Sequence, residues 1–322
     1  MKIREFMKKS KVFILICALT VPILSMMDIS AADAIDTSAT CSLTLTVPSD
    51  SVYMSDAGAP DFTAKLYRVA SVSESRHFTM LEDYGVDVEA LSEDENADWE
   101  KAAATASEKL DGKKATAEVT ISRETGQGRA NGLETGMYLV MMDTVTAPEY
   151  EYSFTPYFIS LPNNLYYSSG QASDDEWLYD AQSVIKVGAE ERFGSLEIVK
   201  SLTEYNSTLG PASFVFQIEG ERGTDRYSNV VSISFTEAGQ QSVVVEHIPA
   251  GMNVTVTEVY SGSSYELTSE ASQSAVIVAG DADRASVAFT NTYNDRINGG
   301  TGIENQFTHE DDGYHVNQKV ME

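Results

Sequence analysis

The stretch GSLEIVKSL, residues 194–202, decides the fold. Side chains alternate along a β-strand, so Leu196, Ile198, Lys200 and Leu202 share one side. Three of the four are apolar, so that side faces a core, and Lys200 interrupts it. A lysine there is costly unless it is neutral, paired or chemically consumed. The same parity test isolates two further residues. In MNVTVTEVY (252–260) the apolar face is Met252, Val254, Val256 and Tyr260, and Glu258 falls on it. In SVAFTNTYND (286–295) the face is Val287, Phe289 and Tyr293, and Asn291 falls on it.

Two explanations fit a lysine, a glutamate and an asparagine on three inward faces. One is a buried Lys–Glu ion pair capped by an amide, an arrangement that often fails to recover its desolvation cost. The other is chemical. Burial pushes a lysine pKa down and makes the side chain a neutral amine nucleophile. Burial pushes a carboxylic acid up, so that it stays protonated and hydrogen-bonds an amide carbonyl. Packed together, the amine attacks the asparagine side-chain carbon, the acid shuttles protons and ammonia leaves. The product is an amide between two side chains, with no charge left to bury.

At 322 residues, the chain has room for two ordinary domains and extra segments. An apolar content of 42% excludes wholesale disorder in spite of a formal charge of −27. Residues 1–34 have the plan of a secretory signal peptide. Lys2, Arg4, Lys8, Lys9 and Lys11 form a basic start, Val12–Met27 an apolar run, and Ala32-Asp33-Ala34 a small-residue cleavage site. The exported chain is therefore expected to begin near Ile35. An uncleaved membrane anchor is the alternative, though Pro22 and Ser25 shorten the apolar run. Cleavage removes five basic and three acidic residues and makes the remainder more acidic still. Such a charge argues against nucleic acid and anionic membrane as partners and suits an extracellular surface. Cys41 then remains as the one cysteine, so no internal disulfide is available.

Beyond residue 34, short strands rich in Val, Thr, Tyr and Phe are broken by Gly, Asn, Asp and Ser. This pattern predicts an all-β chain of two tandem Ig-like β-sandwiches. One short helix is predicted within the first, over SEDENADWEKAAATASEKLDG (92–112), with Gly112 as its stop. An internal repeat supports the pairing of domains. CSLTLTV (41–47) matches GSLEIVK (194–200), and DFTAKLYRV (61–69) matches SFVFQIEGE (213–221). LETGMYLVMMD (133–143) matches IPAGMNVTVTE (248–258), with Asp143 on Glu258. The expected domains are 35–190 and 191–295. The tail, 296–322, is too poor in apolar residues for a domain and reads as disordered, or as a strand (TGIENQF) added to a neighbouring sheet.

The second domain resembles, over its whole length, the Cna protein B-type domain of Gram-positive surface proteins and pili. The residues that carry the resemblance are Lys200 in LEIVKSL, Glu258 in VTVTEVY and Asn291 in AFTNTY. It implies an autocatalytic isopeptide bond, with Lys200 as nucleophile, Asn291 as acceptor and Glu258 as acid/base. The first copy departs from this pattern. Val47 stands where Lys200 stands, and its last strand, EWLYDAQSVIKVG (176–188), contains no asparagine. Asp143 keeps a carboxylate at the catalytic position, as related domains do, but no bond is expected in this domain; Lys65 is the reserve nucleophile. The stretch from YSFTPYFISLP to WLYD is similar to the N-terminal domain of a sortase-assembled pilin. In such pilins a lysine just after that domain joins neighbouring subunits. Lys186 is the nearest match, without the usual Tyr-Pro-Lys context, and an exposed strand-end lysine is the competing reading.

Other chemistry finds no motif. His77, His247, His309 and His315 are scattered, which indicates no metal centre. No glycine-rich phosphate loop follows a strand, and no cofactor is expected. The acidic runs SEDENAD and SDDE read as solvated loops rather than calcium sites. Thr301-Gly302 lacks the Leu-Pro of a sortase signal, so attachment by that route is not expected. The resulting reading is a secreted cell-surface structural protein, a pilin subunit or adhesin stalk. It is not an enzyme beyond its own cross-linking, and its partners would be other surface or pilin subunits. The alternative is a free secreted module binding a host or glycan ligand, marked by exposed aromatics around Tyr150, Tyr152, Tyr166 and Tyr167.

Overall fold

The computed structural model describes residues 34–94, 96–164, 176–262, 264–296, 302–310 and 313–321. The signal-like leader, Tyr166 and Tyr167 lie outside them. Among the described residues the architecture is all-β, built from several small sheets and three short α-helices. Compact packing groups the chain differently from a contiguous split at 190. One unit runs to Ser49 and adds Asp61–Asp143 and Phe154–Lys186. The other takes Asp50–Pro60, Thr144–Ser153 and everything from Val187 onward.

The sandwich that carries Lys200 lies in the second of these units. Its strands are β1 (Phe193–Leu202), β2 (Ala212–Arg222), β3 (Asp225–Phe235), β4 (Gly239–Pro249), β5 (Asn253–Tyr260), β6 (Tyr265–Leu267), β7 (Ser272–Val276) and β8 (Gly280–Tyr293). One sheet has the order β4-β1-β8-β6, the other β3-β2-β5-β7. First strand and last strand are neighbours and parallel, whereas β1 and β4 are antiparallel. The alternation read from the sequence is the alternation of burial. Leu196, Ile198 and Leu202 are buried on β1, Val254 and Val256 on β5, and Val287 and Phe289 on β8, all within one core. Each such side chain contributes about 1.5–3 kcal/mol by leaving water. Gly194 is needed where β1 begins, because a Cβ there would lie 1.9 Å from the carbonyl oxygen of Val278.

The first unit repeats this connectivity. Its first strand, Cys41–Thr46, is parallel to Asp180–Val184 and antiparallel to Gln127–Leu133. In the other sheet Phe62–Val72 pairs antiparallel with Gly136–Met142, as β2 does with β5. The three segments matched in sequence thus occupy equivalent strands. The helical stretch differs from expectation. The helix inside it is shorter, Trp99–Ser107, and a second helix, Val88–Glu93, lies mostly before it. Asp87 accepts from Glu89 N and Ala90 N, and Asp98 accepts from Lys101 N at 3.0 Å. The aspartates act as N-caps, so they start helices rather than lie inside one.

The tail also differs from expectation. Gly302–Glu310 and Gly313–Met321 pair antiparallel as a hairpin, with Ile303 opposite Val320 and Phe307 opposite Val316. An isolated two-stranded ribbon is marginal in water, and the second strand of this one also lies against β3. Among the described residues, no helix is long and apolar enough to cross a membrane.

Candidate functional site

Each of the three polar residues arrives by strand parity alone. Lys200 and Asn291 come from neighbouring strands of one sheet, β1 and β8, and Glu258 from β5 in the facing sheet. Lys200 and Asn291 are fully buried, and the side chains of Lys200 and Glu258 have no exposure at all. The backbone around them is tied down. Thr203 N donates to Asn291 O at 3.0 Å, and Glu258 N to Ala271 O at 3.1 Å.

Their side chains form a closed triangle. Lys200 Nζ donates to Glu258 Oε2 at 2.5 Å and also to Asn291 Oδ1. Asn291 Nδ2 donates to Glu258 Oε1 at 2.7 Å. The rest of the lining is aromatic: Nζ lies 4.5 Å from the ring centre of Phe214 and 5.6 Å from that of Phe216. Phe289, opposite Lys200 in register, packs 5.1 Å from Phe216. Burial pushes the Lys200 amine below its ordinary value, against the opposing pull of the Glu258 hydrogen bond and charge. One detail departs from the sequence reading: the carboxyl meets the amide nitrogen of Asn291 rather than its carbonyl oxygen. A carboxylate offers only acceptors, so the N–H groups of both partners turn towards it.

This arrangement does two things chemically. It satisfies a buried ion pair, and it brings an amine, an amide and a proton carrier together without water. Glu258 touches the Lys200 amine with one carboxyl oxygen and the Asn291 amide nitrogen with the other.

The other sequence candidates sit in different surroundings. Lys65 Nζ meets Asp143 Oδ2 at 2.6 Å, with side chains 31% and 64% exposed. The Asp143 hydrogen bond raises the Lys65 pKa and keeps it charged, the opposite of Lys200. Val47, at the Lys200 position of the repeat, is buried. Lys186 lies between two strands, half exposed, 2.9 Å from Glu100 Oε2. Of the aromatics offered as a ligand surface, the two described ones, Tyr150 and Tyr152, are not exposed. Tyr152 is fully buried and donates to Asp56 Oδ2 at 2.7 Å, and Tyr150 lies under Arg222, 5.5 Å from its guanidinium. Among the described residues, no group of three or more His, Cys, Asp or Glu side chains is placed to hold a metal.

Sequence reading missed Arg222. It donates to Ala250 O at 2.7 Å and Asp225 Oδ2 at 3.0 Å, pairs with Glu191, and lies 3.8 Å from Glu149 Oε2. A lone arginine at a strand end, far in sequence from two of its acids, gives no local signal.

Residues 196–294 match a family described as a domain of unknown function (DUF5979). No curated protein matches the chain. Among solved structures, the minor pilin of Streptococcus agalactiae is 13% identical, with 79% of this chain and 96% of that one covered and a TM-score of 0.24. The major pilin SpaD of Corynebacterium diphtheriae is 12% identical, with coverage of 80% and 99% and a TM-score of 0.25. The TIE protein of Bacillus anthracis is 12% identical with a TM-score of 0.36; 87% of this chain is covered, but it spans only 43% of that one.

Proposed function

We propose that this chain is a secreted cell-surface structural protein, a pilin subunit or adhesin stalk, whose second sandwich ties itself with an isopeptide bond. The observation that supports it is the closed triangle of Lys200, Glu258 and Asn291 in an apolar core. An ion pair alone would leave two charges buried for little gain in stability. A condensation removes both.

The contacts support one order of steps. Lys200 Nζ gives one proton to Glu258 Oε2 and becomes a free amine, which burial favours. The amine attacks Asn291 Cγ, forming the Nζ–Cγ bond. The protonated carboxyl turns about its Cγ–Cδ bond and gives that proton to Nδ2, the Cγ–Nδ2 bond breaks, and ammonia leaves. The second proton shed by Nζ returns to the carboxyl. The products are a neutral secondary amide and a neutral acid. The reaction turns over once and needs no cofactor.

Fractionating producing cells into medium, wall and membrane, then blotting for this chain, tests the functional reading. A ladder that survives boiling in detergent and reductant is the expected result for a subunit joined covalently to its neighbours. A single band confined to the medium contradicts it and favours the free binding module.

A further inference from the structure

Asn131 and Gly132 sit at an irregularity in the first unit. Leu43 is opposite Ala130 and Cys41 is opposite Leu133, so Asn131 and Gly132 together face the single residue Ser42. Both are exposed and line an open cleft of about 380 Å³ with Arg68, Thr116 and Glu134. Gly132 has φ of +69° and no atom within 4 Å of where a Cβ would lie. Arg129 Nε donates to Asn131 Oδ1 at 2.9 Å. The same guanidinium, 43% exposed, also donates to Thr44 Oγ1 at 2.8 Å, Asp180 Oδ1 at 2.8 Å and Ser42 Oγ at 2.7 Å. Among the described residues, no hydrogen bond anchors Asn131 Nδ2.

We infer that Asn131 is a second self-modification site, at which the backbone nitrogen of Gly132 displaces ammonia from the side chain. The Gly132 N–Asn131 Cγ bond forms, the Cγ–Nδ2 bond breaks, and the proton of the Gly132 amide leaves on Nδ2 as part of ammonia. Water from the cleft then opens the five-membered imide at either carbonyl, giving aspartate or isoaspartate at 131. Three features favour the step. Glycine presents no Cβ to the ring being closed, and the bulge puts Gly132 outside regular pairing. Arg129 places a fixed positive donor on the oxygen that gains negative charge, as an oxyanion site does. The new carboxylate stays beside Arg129, where a charge-assisted hydrogen bond stabilises it. The isoaspartate branch lengthens the backbone by one methylene where the strand already departs from register.

Peptide mapping of the purified full chain, held for days in mildly alkaline buffer, tests this. The Asn131 peptide is expected to convert from amide to acid, with an isoaspartyl fraction, and Asn131→Gln abolishes the conversion. Arg129→Gln is expected to slow it about tenfold in the folded chain, the rate equivalent of ~1.4 kcal/mol, and to leave the rate in denaturant unchanged. Conversion slower in the folded chain than in denaturant overturns the inference. So does a folded-state rate that Arg129→Gln leaves unaltered.

Discussion

Lys200 stands opposite Phe289, and Asn291 opposite Leu202, in the parallel pairing of β1 and β8, so the two side chains meet diagonally across two register positions. They are 91 residues apart in sequence. A covalent link there would join the first strand of the sandwich to the last. On chain-entropy grounds, closing a loop of that size stabilises by roughly 4–5 kcal/mol.

Replacing Glu258 by Ala is expected to leave amine and amide in place but unjoined, with ammonia retained in the intact mass. The second sandwich should then melt lower by on the order of 10 °C and be cut faster by protease. Glu258→Gln, which keeps the volume and removes the proton carrier, should also stay unjoined. Intact mass and calorimetry on the full chain check both variants. An ammonia loss that persists in Glu258→Gln contradicts the shuttle.

The unjoined Glu258→Ala variant should also acquire a pH dependence. Burial lowers the Lys200 pKa, and the variant lacks the partner that opposes this. The unfolded chain then holds a proton up to the ordinary value of 10.5 where the folded chain does not. Its stability should therefore rise with pH through the window below 10.5, because the unfolded state binds more protons there. In the joined wild type, Lys200 no longer titrates and adds no such slope. Thermal melts of both proteins from neutral to alkaline pH give the comparison.

The site was legible because strand parity is rigid: one residue per face, two residues per period. Lys200, Glu258 and Asn291 each break an apolar stripe, and the core places them together for that reason. The helix over 92–112 was not legible in detail, because Asp98, at the end of the acidic run, caps it and delays its start to Trp99. The tail hairpin was not legible because its ladder and its contact with β3 are long-range pairings, which apolar counting along the tail does not measure. Arg222 depends on Glu149 and Glu191, contacts that only the folded chain assembles.

Lys65→Ala should change little. Its partner Asp143 is mostly exposed, and exposed pairs contribute about 0–1 kcal/mol. Denaturant melts are expected to coincide with wild type, and the ammonia loss should be intact. Disappearance of the loss in this variant would move the cross-link into the first unit.

Arg222→Ala, by contrast, should destabilise by about 2–3 kcal/mol, because Glu149, Glu191 and Asp225 lose their shared cation at a mostly buried position. Adding Glu191→Gln to that variant should recover part of the loss. Equilibrium denaturation measures both, and additive losses in the double variant would contradict the shared-cation account.

The central claim is that Lys200 and Asn291 are one side chain, and the mass of the chain from Ile35 onward tests it most directly. The account predicts a protein lighter than its sequence by one ammonia. Tandem mass spectrometry of the digest should then find a branched peptide joining the strand of Lys200 to the strand of Asn291. The location matters, because an imide at Asn131 and Gly132 not yet opened by water would also be lighter by one ammonia. A mass equal to that of the sequence, or a loss that maps only to Asn131, would contradict the account and leave Lys200 and Glu258 as a buried ion pair.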